Sequence, residues 1–200
     1  TGCYVQPYGH AIPTPAIQKL ADQGVFFRRA FSAAPTCSPS RAALLKGQTP
    51  HSSGMLGLAH RGFSLADPRQ HLAYTLKSVG YDTVLAGVQH VSDDSGSIGY
   101  TKNLKALSTK AVDIAGMAAN FLRRTSNRPF FLDVGYFETH LPFPELGLTE
   151  NERYCFPPEP LPDVPQVRSD MVGFKASARL LDDGIGVVLD ALQASGKSEE

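Results

Sequence analysis

Apolar positions along this chain follow two rhythms that alternate, a spacing of three to four residues and short near-continuous runs. Ile17, Leu20 and Ala21 make one face of a helix predicted over 14–23, with Thr14 as its cap, Pro15 in its first turn and Gly24 as its stop. Ala42, Ala43, Leu44 and Leu45 predict a second helix over 39–46, closed by Gly47, with Ser38 as N-cap and Pro39 as first helical residue. Further helices are expected over 71–79, 109–124 and 170–195. In the last, Leu180, Leu181, Gly184, Val187, Val188, Ala191 and Leu192 share a face, and Gly196 ends it. Residues 81–87 read instead as a buried strand. Residues 130–137 form an aromatic run of strand length, which demands cover on both faces, as in a central parallel strand. Helices alternating with such strands predict an α/β fold with a mostly parallel central sheet and helices on both faces.

Between these elements the proline-rich stretch 142–165 interrupts regular structure and is long for a plain connection, the kind of loop that shapes a pocket. No repeat, low-complexity tail or linker divides the chain, so residues 1–200 read as a single domain segment. Basic and acidic residues balance at 19 each, which gives no field to draw the chain toward nucleic acid or an acidic membrane. Arg28-Arg29 and Arg123-Arg124 are isolated pairs on solvated faces. No apolar run is long enough to span a bilayer. Cys3, Cys37 and Cys155 make neither a zinc spacing nor an even disulfide set, although a Cys3–Cys155 pair is open.

The strongest chemical signal is Thr36-Cys37-Ser38-Pro39-Ser40-Arg41, which runs straight into the predicted helix. Free backbone N–H groups at a helix N-terminus, with a guanidinium one turn on, favour an anion beside residue 37 and a reactive thiol there. The plain alternative is a helix start with a small buried cysteine.

Cys-x-Pro-Ser-Arg followed by a short apolar run and Gly resembles the signature of the type I sulfatases, of the alkaline phosphatase superfamily. The resemblance continues on both sides of the motif. Ile12-Pro13-Thr14-Pro15 through Gly24-Val25-Phe26-Phe27 is similar to the family's segment before its nucleophile. Pro50-His51-Ser52-Ser53-Gly54-Met55 is similar to its Pro-His-x-x-Gly-Met turn, in which His51 reads as structural. Gly87-Val88-Gln89-His90 resembles the Gly-Lys-x-His element, with valine where the family has lysine. Residues 128–143 carry Glu138-Thr139-His140 where the family has a sulfate-contacting histidine. Gly54-Met55-Leu56-Gly57-Leu58 and Glu138-Thr139-His140 lean toward the branch containing the N-sulfoglucosamine sulfohydrolases.

The resemblance implies that Cys37 is converted to formylglycine by a formylglycine-generating enzyme, which recognises Pro39 and Arg41. The hydrated aldehyde attacks the sulfur of a sulfate ester and divides one hard displacement into two easier steps. It implies that Arg41 stabilises the hydrate, and that His90 and His140 hold sulfate and move protons. The substrate would be a small-molecule or glycan sulfate ester or sulfamate. A calcium ion, or magnesium in its place, is expected on two acidic pairs that lie before Thr1 and after Glu200, so the segment is read as the N-terminal catalytic part of the domain, without its first strand and its C-terminal portion, and inactive alone. Asp93-Asp94 and Asp182-Asp183 read as solvated pairs, too few for a hard cation that needs about six oxygens. Glu138 reads as an exposed loop carboxylate. The compartment implied is periplasmic, secreted or lysosomal. Val88 removes one charge-assisted contact and keeps two alternatives open: a phosphonate or phosphate monoester hydrolase on the same scaffold, and a non-catalytic sulfatase-like binding protein.

Overall fold

The computed structural model describes residues 2–124, 128–144, 150–159 and 161–198. Its helices are α1 (Pro15–Gln23), α2 (Cys37–Lys46), the single turn α3 (Pro50–Ser53), α4 (Leu72–Ser78), α5 (Ala111–Arg124) and α6 (Pro165–Ala194). Its strands are β1 (Asp82–Gly87), β2 (Lys102–Leu104) and β3 (Phe130–Gly135), all parallel in the order β2-β1-β3. The expected parallel α/β sheet is present. Of the proline-rich stretch, 145–149 and 160 lie outside the described residues.

The sheet is covered on both faces, and strand alternation decides which residue meets which layer. Leu85 and Phe131 face a cluster with Ala42, Met55, Ala73, Val91, Ile98 and Tyr100, below α2 and α4. Ala86, Leu132 and Val134 face Ile114 and Ala118 of α5, and Ala119, Leu122 and Ala191 extend that contact to α6. The α5 face at Ile114, Ala115, Ala118, Ala119 and Leu122 repeats at helical spacing and is buried throughout, which is why this segment is a helix.

Several details of the sequence reading change. Strand β1 is the inner strand, with its middle four residues buried, whereas β3 is only part-buried along most of its length and pairs with β1 alone among the described residues. Helix α6 starts five residues earlier than expected, at Pro165, a residue whose missing N–H costs nothing in a first turn. Val187 faces solvent rather than the core, because the stripe of α6 against α5 is narrower than the run of apolar residues. Short β2 gives no periodic signal and is ordered by its pairing with β1. All three cysteines are free thiols, Cys3 exposed and Cys155 buried.

The expected cap of α1 is also reassigned. Thr14 is buried but does not cap α1; its Oγ1 accepts from the Gln6 N–H at 2.9 Å. The cap comes from Asp182 of α6, whose two carboxylate oxygens accept from the Ala16 and Ile17 N–H groups at 2.9 and 2.8 Å. Asp182 is therefore a buried tie between the ends of the chain, not a solvated residue. Glu138 is likewise part-buried, and its Oε1 accepts from Ala111 N–H at 3.0 Å, at the first turn of α5.

Candidate active site

Helix α2 begins two residues before the expected Pro39: Thr36, not Ser38, is its N-cap and Cys37 its first residue, exposed to solvent. Ser38 is buried and faces away from the helix end, its Oγ accepting from Ala59 N–H at 3.1 Å. Arg41 follows Cys37 by four residues, so both lie on the same helix face. The first-turn N–H groups have no intrahelical acceptor and carry the positive end of the helix dipole. Gly47, in the left-handed region at φ 65°, ends the helix as the pattern predicted.

The exits of β1 and β3 lie close together because both end in glycine. A Cβ on Gly87 would come within 2.2 Å of the Gly135 carbonyl oxygen, and one on Gly135 within 1.8 Å of the Val88 carbonyl oxygen. Val88 N–H donates to Gly135 O at 2.9 Å across this gap. The chain then turns tightly: the Gln89 side chain accepts from Val91 N–H at 2.5 Å and Ser92 N–H at 3.0 Å and donates to Ser92 O. That turn holds His90 at φ 53°, a conformation that L side chains rarely adopt and that marks an over-determined site.

Beyond β3, His140 N–H donates to Phe137 O at 2.9 Å and its ring Nδ1 lies 2.7 Å from Leu141 O. A carbonyl can only accept, so Nδ1 keeps its proton and Nε2 is the atom free to gain or lose one.

The structure brings Arg41, His90 and His140 into one neighbourhood from three separated stretches of chain. Partial burial pushes the His90 pKa below its usual value, and the positive charges of His60, Arg41 and His140 push the same way, with Asp93 opposing them. A bound anion would relieve that repulsion. His51, by contrast, is exposed on α3 and is not among the groups acting on His90. His60 is the residue that sequence reasoning missed; its ring meets that of His90 edge to edge, the planes 3° apart, with Nδ1 2.9 Å from Nε2. Thirty residues separate the two, and no local spacing signals the contact.

Below the cluster, Tyr100 donates to Asp133 Oδ2 at 2.5 Å; its pKa is pushed up by burial and then by that carboxylate, while Arg41 acts the other way. His71 packs edge-on against Tyr100 and is wholly buried, its Nδ1 accepting from Ala73 N–H at 3.1 Å to cap α4. Among the described residues no three His, Cys, Asp or Glu side chains converge to hold a metal ion, so these residues do not by themselves fit the expected cation.

Residues 2–200 match the family model described as Sulfatase. The chain is 28% identical over 219 residues to N-sulphoglucosamine sulphohydrolase of Homo sapiens, covering 93% of this chain and 43% of that protein. An arylsulfatase of Klebsiella aerogenes is 31% identical over 96 residues, 44% of this chain and 20% of the relative. Among solved structures, one in complex with its substrate D-glucosamine-2-N,6-O-disulfate matches with a TM-score of 0.72 at 16% identity, over 98% of this chain and 60% of that one. Ps i-CgsB in complex with k-i-k-neocarrahexaose gives 0.70 at 21% identity, over 98% and 53%. These two likenesses show the fold. The chain spans less than half the length of the curated relatives it matches.

Proposed function

Because the chain belongs to the sulfatase family, we propose that it carries the nucleophile-bearing part of a sulfuric ester hydrolase that cleaves sulfate esters or sulfamates of sulfated sugars. The observation that carries this reading is the convergence of Arg41, His90 and His140, from three stretches of chain, in a protein whose α2 starts at an exposed Cys37. Sulfated amino sugars are the favoured substrate class, in keeping with the sulphohydrolase relative.

Family membership implies a formylglycine nucleophile and a divalent cation. In this proposal the formylglycine is made at Cys37 by a generating enzyme, and it supplies an aldehyde hydrate as nucleophile and as the means of releasing sulfate. Calcium is the proposed cation, with its ligands outside the 200 residues. Arg41, one turn beyond position 37, sets a fixed positive charge on the face where the anion is attacked. His90 is a donor to the sulfate oxygens. His140, with Nδ1–H held by the Leu141 carbonyl, exchanges a proton at Nε2 with the leaving oxygen or nitrogen. Apolar Tyr4, Leu141, Phe143, Leu161 and Phe174 line a groove of about 530 Å³ that begins one residue beyond His140 and is the proposed path of the leaving group.

Turnover of an aryl sulfate and of a phosphonate monoester by the complete protein tests the reading. Sulfate preference is expected. Valine at 88 favours the phosphonate or phosphate monoester alternative, and a preference for the phosphonate would overturn the sulfatase reading.

A further inference from the structure

His60 belongs to no motif, yet the fold builds a seat for it. It lies in the single turn Ala59–Arg61, and the buried Ser38 of α2 anchors that turn by accepting from Ala59 N–H. From there the His60 ring lies parallel to that of His90, 3° between the planes, 5.1 Å between centroids and 2.9 Å from Nδ1 to Nε2. His90 is held from its other side by the Gln89 turn in its left-handed conformation. The ring is thus fixed by its backbone and by its neighbour together.

That contact also limits charge. Two imidazoles joined nitrogen to nitrogen share one proton, one atom donating and the other accepting. A second proton on the contact would set two N–H groups head-on, so the pair carries at most one positive charge. Arg41 of α2 and His140 beyond β3 face His90 as cations, and Asp93 faces it as an anion. Residues 87–92 include no lysine or arginine, so the β1 exit offers no permanent cation of its own.

We propose that His60 is a positioning residue of the anion site: it clamps the His90 ring, and the pair takes up one proton from solvent when a tetrahedral oxyanion binds beside Arg41 and His140. The naming of that anion as sulfate rests on the sulfatase reading; the clamp and the proton uptake do not. No bond in the anion is made or broken in this step.

The test is calorimetry of inorganic sulfate binding to the full-length protein between about pH 6 and pH 8, in buffers of different ionisation enthalpy. The wild type is expected to take up about one proton per sulfate near neutral pH. His60→Ala is expected to bind sulfate about tenfold more weakly, the size of one lost charge-assisted hydrogen bond. Its pH dependence should move upward, because the cover and repulsion that His60 imposes on His90 are gone. His60→Asn, whose amide reaches His90 as Nδ1 does, should restore affinity to within about threefold. His60 is exposed, so both variants should keep the wild-type circular dichroism. Sulfate binding without proton uptake, no sulfate binding by the wild type, unchanged affinity and pH dependence in His60→Ala, or a His60→Asn as weak as His60→Ala would each overturn the proposal. Binding is read without turnover, so a wild type that binds sulfate with proton uptake but hydrolyses no sulfate ester defeats the function proposed above and not the clamp.

Discussion

Two histidines of this chain are held below their usual pKa by burial, with different consequences. His90 faces the site, whereas His71 is enclosed at the base of α4 with its Nε2 unpartnered among the described residues. Burial lowers the His71 pKa most; Asp133 opposes this and Lys46 adds to it. The unfolded chain therefore takes up a proton at the ordinary value of 6.5 while the native chain still resists, and stability is lost as pH falls through and below that value. Urea unfolding at stepped pH should show this loss, and His71→Asn, which keeps an acceptor for Ala73 N–H, should flatten it. Unfolding that is insensitive to pH from neutrality down to the carboxylate range would contradict this account. At position 37 the expectation concerns mass: the Cys37 peptide from the native host should be lighter by about 18 Da, the change from cysteine to formylglycine. An unmodified thiol would remove the proposed nucleophile. The motif made Cys37 and Arg41 legible because their relation is local, four residues on one helix. His60 was not legible, since its partner is set by the packing of Ser38 on Ala59.

Among elements, the helix ends are where local reading and structure part. Local rules place a cap beside each helix, but α1 is capped by Asp182 and α5 meets Glu138, residues far away in sequence. A buried carboxylate accepting from two helix N–H groups does more than a hydroxyl, because charge-assisted bonds and the helix dipole add. Asp182→Ala should cost about 3 kcal/mol of unfolding free energy, and Asp182→Asn, which retains one acceptor, about 1 kcal/mol. A cost below that of an ordinary surface substitution in Asp182→Ala would show that the tie between α1 and α6 is dispensable. The strand exits make a second element-scale prediction. Gly87 combines φ 92° with a Cβ position 2.2 Å from Gly135 O, so Gly87→Ala should lose roughly 3 kcal/mol and part the β1 and β3 exits. Its kcat/KM on a sulfate ester should fall further than its loss of stability explains, since His90 and His140 ride on those exits. Equal losses would assign the glycine pair to stability alone.

For the molecule as a whole, strongly exposed apolar side chains include a group on α2 and the segment before it, where Val25, Phe27 and Phe31 are 81%, 68% and 89% exposed and Leu44 is 80% exposed, and others farther along, such as Leu107 at 98%. Surface of that kind is unusual for a self-sufficient domain. Residues 1–200 expressed alone should bind a hydrophobic dye and hydrolyse no sulfate ester, whereas the complete protein should do the reverse; turnover by the 200 residues would refute the proposal that they are an incomplete site. The sequence by itself determined what depends on neighbours along the chain. The helical stripes of α5 and α6, the buried run of β1 and the sulfatase motif at 37–41 follow from periodicities and spacings shorter than two helical turns, and the parallel α/β class follows from the order in which such elements alternate along the chain. Only the tertiary structure decided which face each layer covers, that β1 rather than β3 is the inner strand, that Asp182 caps α1 and that His60 meets His90. Those relations join segments tens to more than a hundred residues apart, and they exist only when burial of the shared core brings the segments together, because no local propensity distinguishes a histidine that will meet a partner from one that will face solvent.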